Sequence, residues 1–118
     1  MTTVSYFALL IYFIQLAHSL EELSTGFHKK WYLYKLPFWV FLGFEILFNI
    51  FWGIVIYRNQ FPNREYLLAI FIVLMFANGV QHLVWAGIVK RYVPGLITAI
   101  FHIILFLIFY FSFIFNYY

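Results

Sequence analysis

Four apolar stretches, each long enough to cross a bilayer as a helix of about 20 residues, fill nearly all of the 118-residue chain and leave only short polar breaks. They run over about 4–24, 37–57, 66–89 and 95–116. In lipid every backbone amide must bond internally. The stretches are therefore expected to be helices, because strands would need a closed barrel and an alternating pattern that is absent. With 66% hydrophobic and 9% charged residues, the chain lacks the polar surface a soluble domain of this size needs. The expected fold is all-α: one transmembrane domain over 1–118, with four helices joined by short loops in an up-down-up-down bundle.

The punctuation agrees with these boundaries. Pro37 suits the first turn of the second span, Pro62 lies in the second break, and Pro94 with Gly95 opens the fourth span. The first span begins almost at Met1, with no basic residue ahead of it and no small-residue cleavage pattern before Glu21 and Glu22, so it is expected to be retained.

The formal net charge of +3 does not point to nucleic acid, because the seven Lys and Arg residues are divided among the three breaks. Membrane orientation accounts for them better. Lys29, Lys30, Lys35, Lys90 and Arg91 in the first and third loops outweigh Arg58 and Arg64 in the second. Loops 25–36 and 90–94 are thus expected on the cytoplasmic side of the cell membrane and both termini outside, with Arg58 and Arg64 free to meet lipid phosphates. Trp31, Trp39 and Trp85 near span ends read as interfacial anchors, and Gly43, Gly53, Gly79 and Gly87 as points of close helix approach.

Ionisable groups inside a span cost about 2.5–3.5 kcal/mol on insertion scales, so each needs a partner or a purpose. At about 100° per residue, Gln15, His18, Glu21 and Glu22 share one face of the first helix, and Asn78, Gln81, His82 and Trp85 one face of the third. Glu45 and Asn49 stand one turn apart on the second, as do Thr98 and His102 on the fourth. Depth is the sharper test. Counted at about 1.5 Å per residue from one membrane side, His18, His82 and His102 each lie about 10 Å in and Glu45 about 12 Å.

No cysteine is present, so a metal would be held by nitrogen and oxygen. His18, His82 and His102 with Glu22 and Glu45 suit a divalent ion, Zn²⁺ by preference and Fe or Mn if more oxygen ligands join. Glu22, one turn from His18, is the better ligand of the adjacent pair. Glu21 is expected to orient a ligand or act as general base, and Asn78 and Gln81 to hold a ligand or donate to a developing oxyanion. Plainer roles stand beside these. A lone intramembrane His or Asn often bonds only to a neighbouring helix, Glu21 and Glu22 could snorkel toward Lys29 and Lys30, and His28 reads as loop.

The segments His18-Ser19-Leu20-Glu21-Glu22, Asn78-Gly79-Val80-Gln81-His82 and Tyr92-Val93-Pro94-Gly95 carry the H-x-x-E-E, N-x-x-x-H and Y-x-P-G patterns in order. Together they resemble the HXXEE-domain family of small polytopic membrane proteins. The resemblance implies that His18, Glu21, Glu22, Asn78, His82, Tyr92, Pro94 and Gly95 matter together, and it supplies no substrate. It leaves Glu45 and His102 resting on depth alone. Tyr92, Pro94 and Gly95 are expected to shape a substrate rim or to form a rigid turn.

The leading expectation is a metal-dependent membrane hydrolase or transferase acting on a lipid-like or amphiphilic substrate. The alternatives are a haem or electron-transfer protein using His82 and His102, a proton-coupled transporter that would have to be a dimer or other oligomer, and a non-catalytic membrane subunit.

Overall fold

The computed structural model describes residues 2–58 and 61–114. It is built of helices α1 (Thr3–Thr25), α2 (Phe27–Lys30), α3 (Phe38–Tyr57), α4 (Arg64–Val89) and α5 (Leu96–Phe109), the last running on as a π-helical turn, Tyr110–Ile114. No strand occurs among the described residues. The expected all-α fold is what forms, and four of its helical segments are long and apolar enough to cross a membrane. The final two residues of the expected fourth span, 115 and 116, lie outside the described residues.

Local chemistry sets the helix ends. The Thr2 side chain caps α1 by accepting from the Ser5 N–H at 3.1 Å. Gly26, at φ 81°, ends α1 and turns directly into α2, a short helix the apolar pattern could not reveal. His28 lies on it and is buried against Phe38 and Phe41, so it is not simply loop. Pro37 sits just before α3, and Gly95 just before α5.

Arg64 at the start of α4 departs from expectation. Rather than meeting lipid phosphates it is buried, donating to Ser5 Oγ at 2.7 Å, the Ile56 carbonyl at 2.8 Å and the Arg58 carbonyl at 2.6 Å. The last two are carbonyls at the C-terminal end of α3, which a helix leaves without internal partners. One guanidinium therefore ties α1, α3 and α4 together.

Two apolar clusters hold the bundle. One, near the α3–α4 connection, gathers Ala8, Ile11, Trp52, Val55, Leu68, Phe71, Ile72, Met75 and Phe109. The other gathers Phe27, Phe41, Trp85 and Val93. Trp85 is a core residue there, not an interfacial anchor, whereas Trp39 is well exposed. Gly79 lets α4 and α5 touch, since a Cβ there would lie 2.8 Å from the Ala99 carbonyl, and Gly53 makes room for the Tyr12 hydroxyl. Gly43 and Gly87 face open space, so close approach does not explain them.

Candidate functional site

Between the two apolar clusters lies a polar layer. Along α1, Gln15, His18, Ser19 and Glu22 recur at helical spacing and are all buried. Glu45 from α3, His82 from α4 and His102 from α5 are buried beside them. Buried polar groups are costly without partners, so the hydrogen bonds of this layer define what it can do.

At its centre stand His18, Glu22 and His82. Glu22 Oε1 is 3.5 Å from His18 Nε2 and Glu22 Oε2 is 3.3 Å from His82 Nε2. The three ligand atoms all lie within 4.8 Å of one another. Atoms about 2.1 Å from a shared tetrahedral ion are about 3.4 Å apart, so this group has the dimensions to hold a metal. His82 is fully buried, and among the described residues its Nδ1 has no hydrogen-bond partner and its Nε2 only the contact with Glu22. A buried nitrogen left so costs about 1–3 kcal/mol.

His18 is oriented from both sides. The Trp31 indole N–H can only donate, and it does so to Gln81 Oε1 at 3.2 Å. Gln81 Nε2 then donates to Asn78 Oδ1 at 3.2 Å, and Asn78 Nδ2 to His18 Nε2 at 3.0 Å. On the other side His18 Nδ1 meets Thr98 Oγ1 at 2.7 Å. The remaining partners of that hydroxyl, Glu21 Oε1 at 2.7 Å and the Gly95 carbonyl at 3.3 Å, only accept, so Thr98 must accept from His18 Nδ1–H. Both ends agree: the proton is on Nδ1, and Nε2 is the acceptor, taking the Asn78 N–H with Glu22 Oε1 3.5 Å away.

Glu21 does not snorkel toward Lys29 and Lys30, and neither does Glu22. Glu21 Oε1 accepts from the Thr98 N–H at 3.0 Å and from the Thr98 hydroxyl, and Glu21 Oε2 accepts from the Ile97 N–H at 3.1 Å and from the Tyr92 hydroxyl. The two backbone donors belong to the first turn of α5, whose own cap residue, Gly95, has no side chain. Glu21 is thus the N-terminal cap of α5, supplied by α1. Burial, and then the adjacent Glu21 carboxylate, push the Tyr92 phenol above its ordinary range.

Gly95 explains the last of the three sequence patterns. Its φ is 90°, and a Cβ at this position would fall 2.6 Å from His82 Cε1, 2.8 Å from His18 Cε1 and 3.1 Å from Glu22 Cγ. Only a glycine lets the turn press against the imidazole edges. Pro94 and Gly95 are buried, and neither they nor Tyr92 line the cavity described below. In this arrangement Gly95 backs the two imidazoles, and Tyr92 reaches Glu21.

His102 and Glu45 belong to a second, adjoining network. His102 Nε2 pairs with Gln15 Oε1 at 3.2 Å, Gln15 Nε2 donates to Ser19 Oγ at 3.3 Å, and Ser19 Oγ donates to Glu45 Oε2 at 2.5 Å. Asn49 Nδ2 donates to the same serine at 2.8 Å. The His102 ring lies 5.5 Å from that of His18, beyond the 4.7 Å separating His18 from His82. The structure therefore brings His18, Glu22 and His82 into one compact group, with His102 and Glu45 beside it. Ser19, Thr98 and Trp31 contribute more than their sequence positions suggested. Two of them had a usable signal, Ser19 four residues after Gln15 on the polar face and Thr98 one turn from His102.

A cavity of about 420 Å³ adjoins the group and is lined mainly from α3 and α4. Its polar wall consists of Glu22, Glu45, Asn78 and Gln81, and the rest is apolar. That volume is typical of small-molecule sites.

A family model described as "Protein of unknown function with HXXEE motif" matches residues 9–110, a stretch that contains all three sequence patterns. No curated protein and no solved structure matches the chain.

Proposed function

The chain belongs to the HXXEE-motif family, and on that premise we propose that it is a metal-dependent intramembrane enzyme, a hydrolase or group transferase acting on a lipid-like amphiphile. The observation that carries the reading is the convergence of His18, Glu22 and His82, with ligand atoms within 4.8 Å, beside a largely apolar cavity that Glu22 lines. Zn²⁺ is the preferred ion for two imidazoles and a carboxylate, ahead of Fe or Mn. When bound, the ion supplies Lewis acidity toward a carbonyl or phosphoryl oxygen and activates water.

The protein groups have separable tasks. Glu21, through Thr98, holds the His18 proton on Nδ1 and leaves Nε2 as the ligand atom. Asn78 yields Nε2 to the ion and, with Gln81, turns its amide N–H groups toward the substrate oxygen. Glu45, on the same wall as Glu22, takes up or returns the proton. His102 steadies the second network and leaves direct ligation to His18, Glu22 and His82. With loops 25–36 and 90–94 cytoplasmic, the chemistry sits in the inner half of the bilayer.

The test is turnover by purified protein in nanodiscs, offered long-chain esters and amides in the presence of zinc. Product release that stops with a chelator and in His82→Ala is expected. Release that survives both treatments, or no product from metal-bound protein across these substrates, contradicts the proposal.

A further inference from the structure

The seams between the helices are not equally closed. Along α4 and α5 the Gly79 backbone meets Ala99, and the rings of Phe76 and Phe106 stack at 4.1 Å. The α3–α4 seam is closed at one end by Trp52 on Phe71, with ring centres 4.8 Å apart. At its other end Phe27 stacks on Phe41 at 5.0 Å and meets Trp85 at 5.8 Å. Between these two closures residues of both helices line the cavity.

The cavity fills that gap. Phe44 and Phe48 on α3 face Leu74 and Met75 on α4 across it. Phe44 is 59% exposed and Leu74 44%, while Met75 is buried at the back. Both helices are spans, so in a bilayer the mouth opens sideways into hydrocarbon. Lipid chains are what it faces there.

The inner end has a definite chemistry. Glu22, Glu45, Asn78 and Gln81 line it, and no Lys or Arg does. With no metal bound, two acidic side chains without a basic counterpart disfavour an anionic headgroup. An ester, amide or hydroxyl has the donors and acceptors that such a wall can satisfy.

We infer that the cleft between α3 and α4 is a lateral portal that takes one hydrocarbon chain of an uncharged single-chain amphiphile from the membrane and presents its polar group to Glu22, Asn78 and Gln81. This deepens the enzymatic reading, on which its use for turnover rests, but binding itself needs no metal.

Photolabelling in phosphatidylcholine nanodiscs tests it, with a monoacylglycerol carrying a diazirine in its chain. Adducts mapped by mass spectrometry are expected at Phe44, Phe48, Leu74 and Met75. Excess unlabelled monoacylglycerol should suppress them at least tenfold, and Leu74→Trp, which fills the mouth from a lipid-facing position, should abolish them. In metal-free protein a matching diazirine fatty acid is expected to label the cleft several-fold less.

Adducts spread equally over Phe101 and Ile104 on the outer face of α5, or adducts that resist competition, would overturn the portal. Equal labelling by the fatty acid would overturn the assignment of an uncharged head. The same experiment on His82→Ala separates the two readings. Saturable cleft labelling in this variant supports the portal whatever the metal analysis gives, and loss of labelling in zinc-replete wild type removes the portal while leaving the metal site standing.

Discussion

A methyl group on the Gly95 α-carbon would lie 2.6 Å from Cε1 of His82, closer than packed atoms approach. The turn between α4 and α5 is thereby the rear wall of the His18–Glu22–His82 group. Gly95→Ala should push the imidazole out of place and also strain a backbone held at φ 90°. The expected result is a loss of about 1–3 kcal/mol in stability together with lowered zinc affinity. Thermal unfolding in detergent and a zinc titration read the two effects separately.

Thr98 tests how His18 is oriented. Thr98→Val keeps the shape but removes the oxygen that accepts from His18 Nδ1 and links it to Glu21. Zinc affinity should fall about 10- to 100-fold, the usual effect of removing a group that orients a ligand. Thr98→Ser should restore it, measured with a competing chelator. Equal affinity in all three proteins would show that the Glu21–Thr98–His18 chain does not set the ligand.

Arg64 lies far from the site and supplies a control. Arg64→Ala removes three donors and leaves the Ile56 and Arg58 carbonyls and Ser5 without them. A loss of about 2–4 kcal/mol is expected. Zinc bound per folded chain should stay unchanged, as followed by denaturation and elemental analysis on the same samples.

Tyr92 carries a pH dependence. Its phenol is raised above the ordinary value of 10.0 by burial and by the Glu21 carboxylate. Stability from that hydrogen bond is therefore complete below the unfolded value and is lost as pH rises through the shifted one. The stability difference between wild type and Tyr92→Phe should be constant through neutral pH and shrink only in strong alkali. Thermal scans of both proteins at a series of alkaline pH values measure it.

The spans were legible because hydrocarbon thickness demands long apolar runs, and the site because buried charge in such runs is rare. Helical spacing placed Gln15, His18 and Glu22 on one face. Depth counting brought His18, His82 and His102 to one level, as their ring contacts show. What stayed hidden depends on partners distant in sequence. Nothing in residues 27–30 marks a short helix that buries Phe27 and His28, because four residues are too few for a period. Arg64 looked like a lipid-facing cation because its acceptors are backbone carbonyls of another helix. Trp85 looked interfacial because a span end and a core position differ only in what packs against them. The cap that Glu21 gives α5, and the pressure of Gly95 on two imidazoles, required the fold.

Elemental analysis of wild type, His18→Ala, His82→Ala and Arg64→Ala, each purified without added chelator, bears most directly on the metal centre. Bound zinc in wild type and Arg64→Ala, with loss in both histidine variants, is the expected result. The same metal content in all four proteins, or none in any after zinc supplementation, would contradict it.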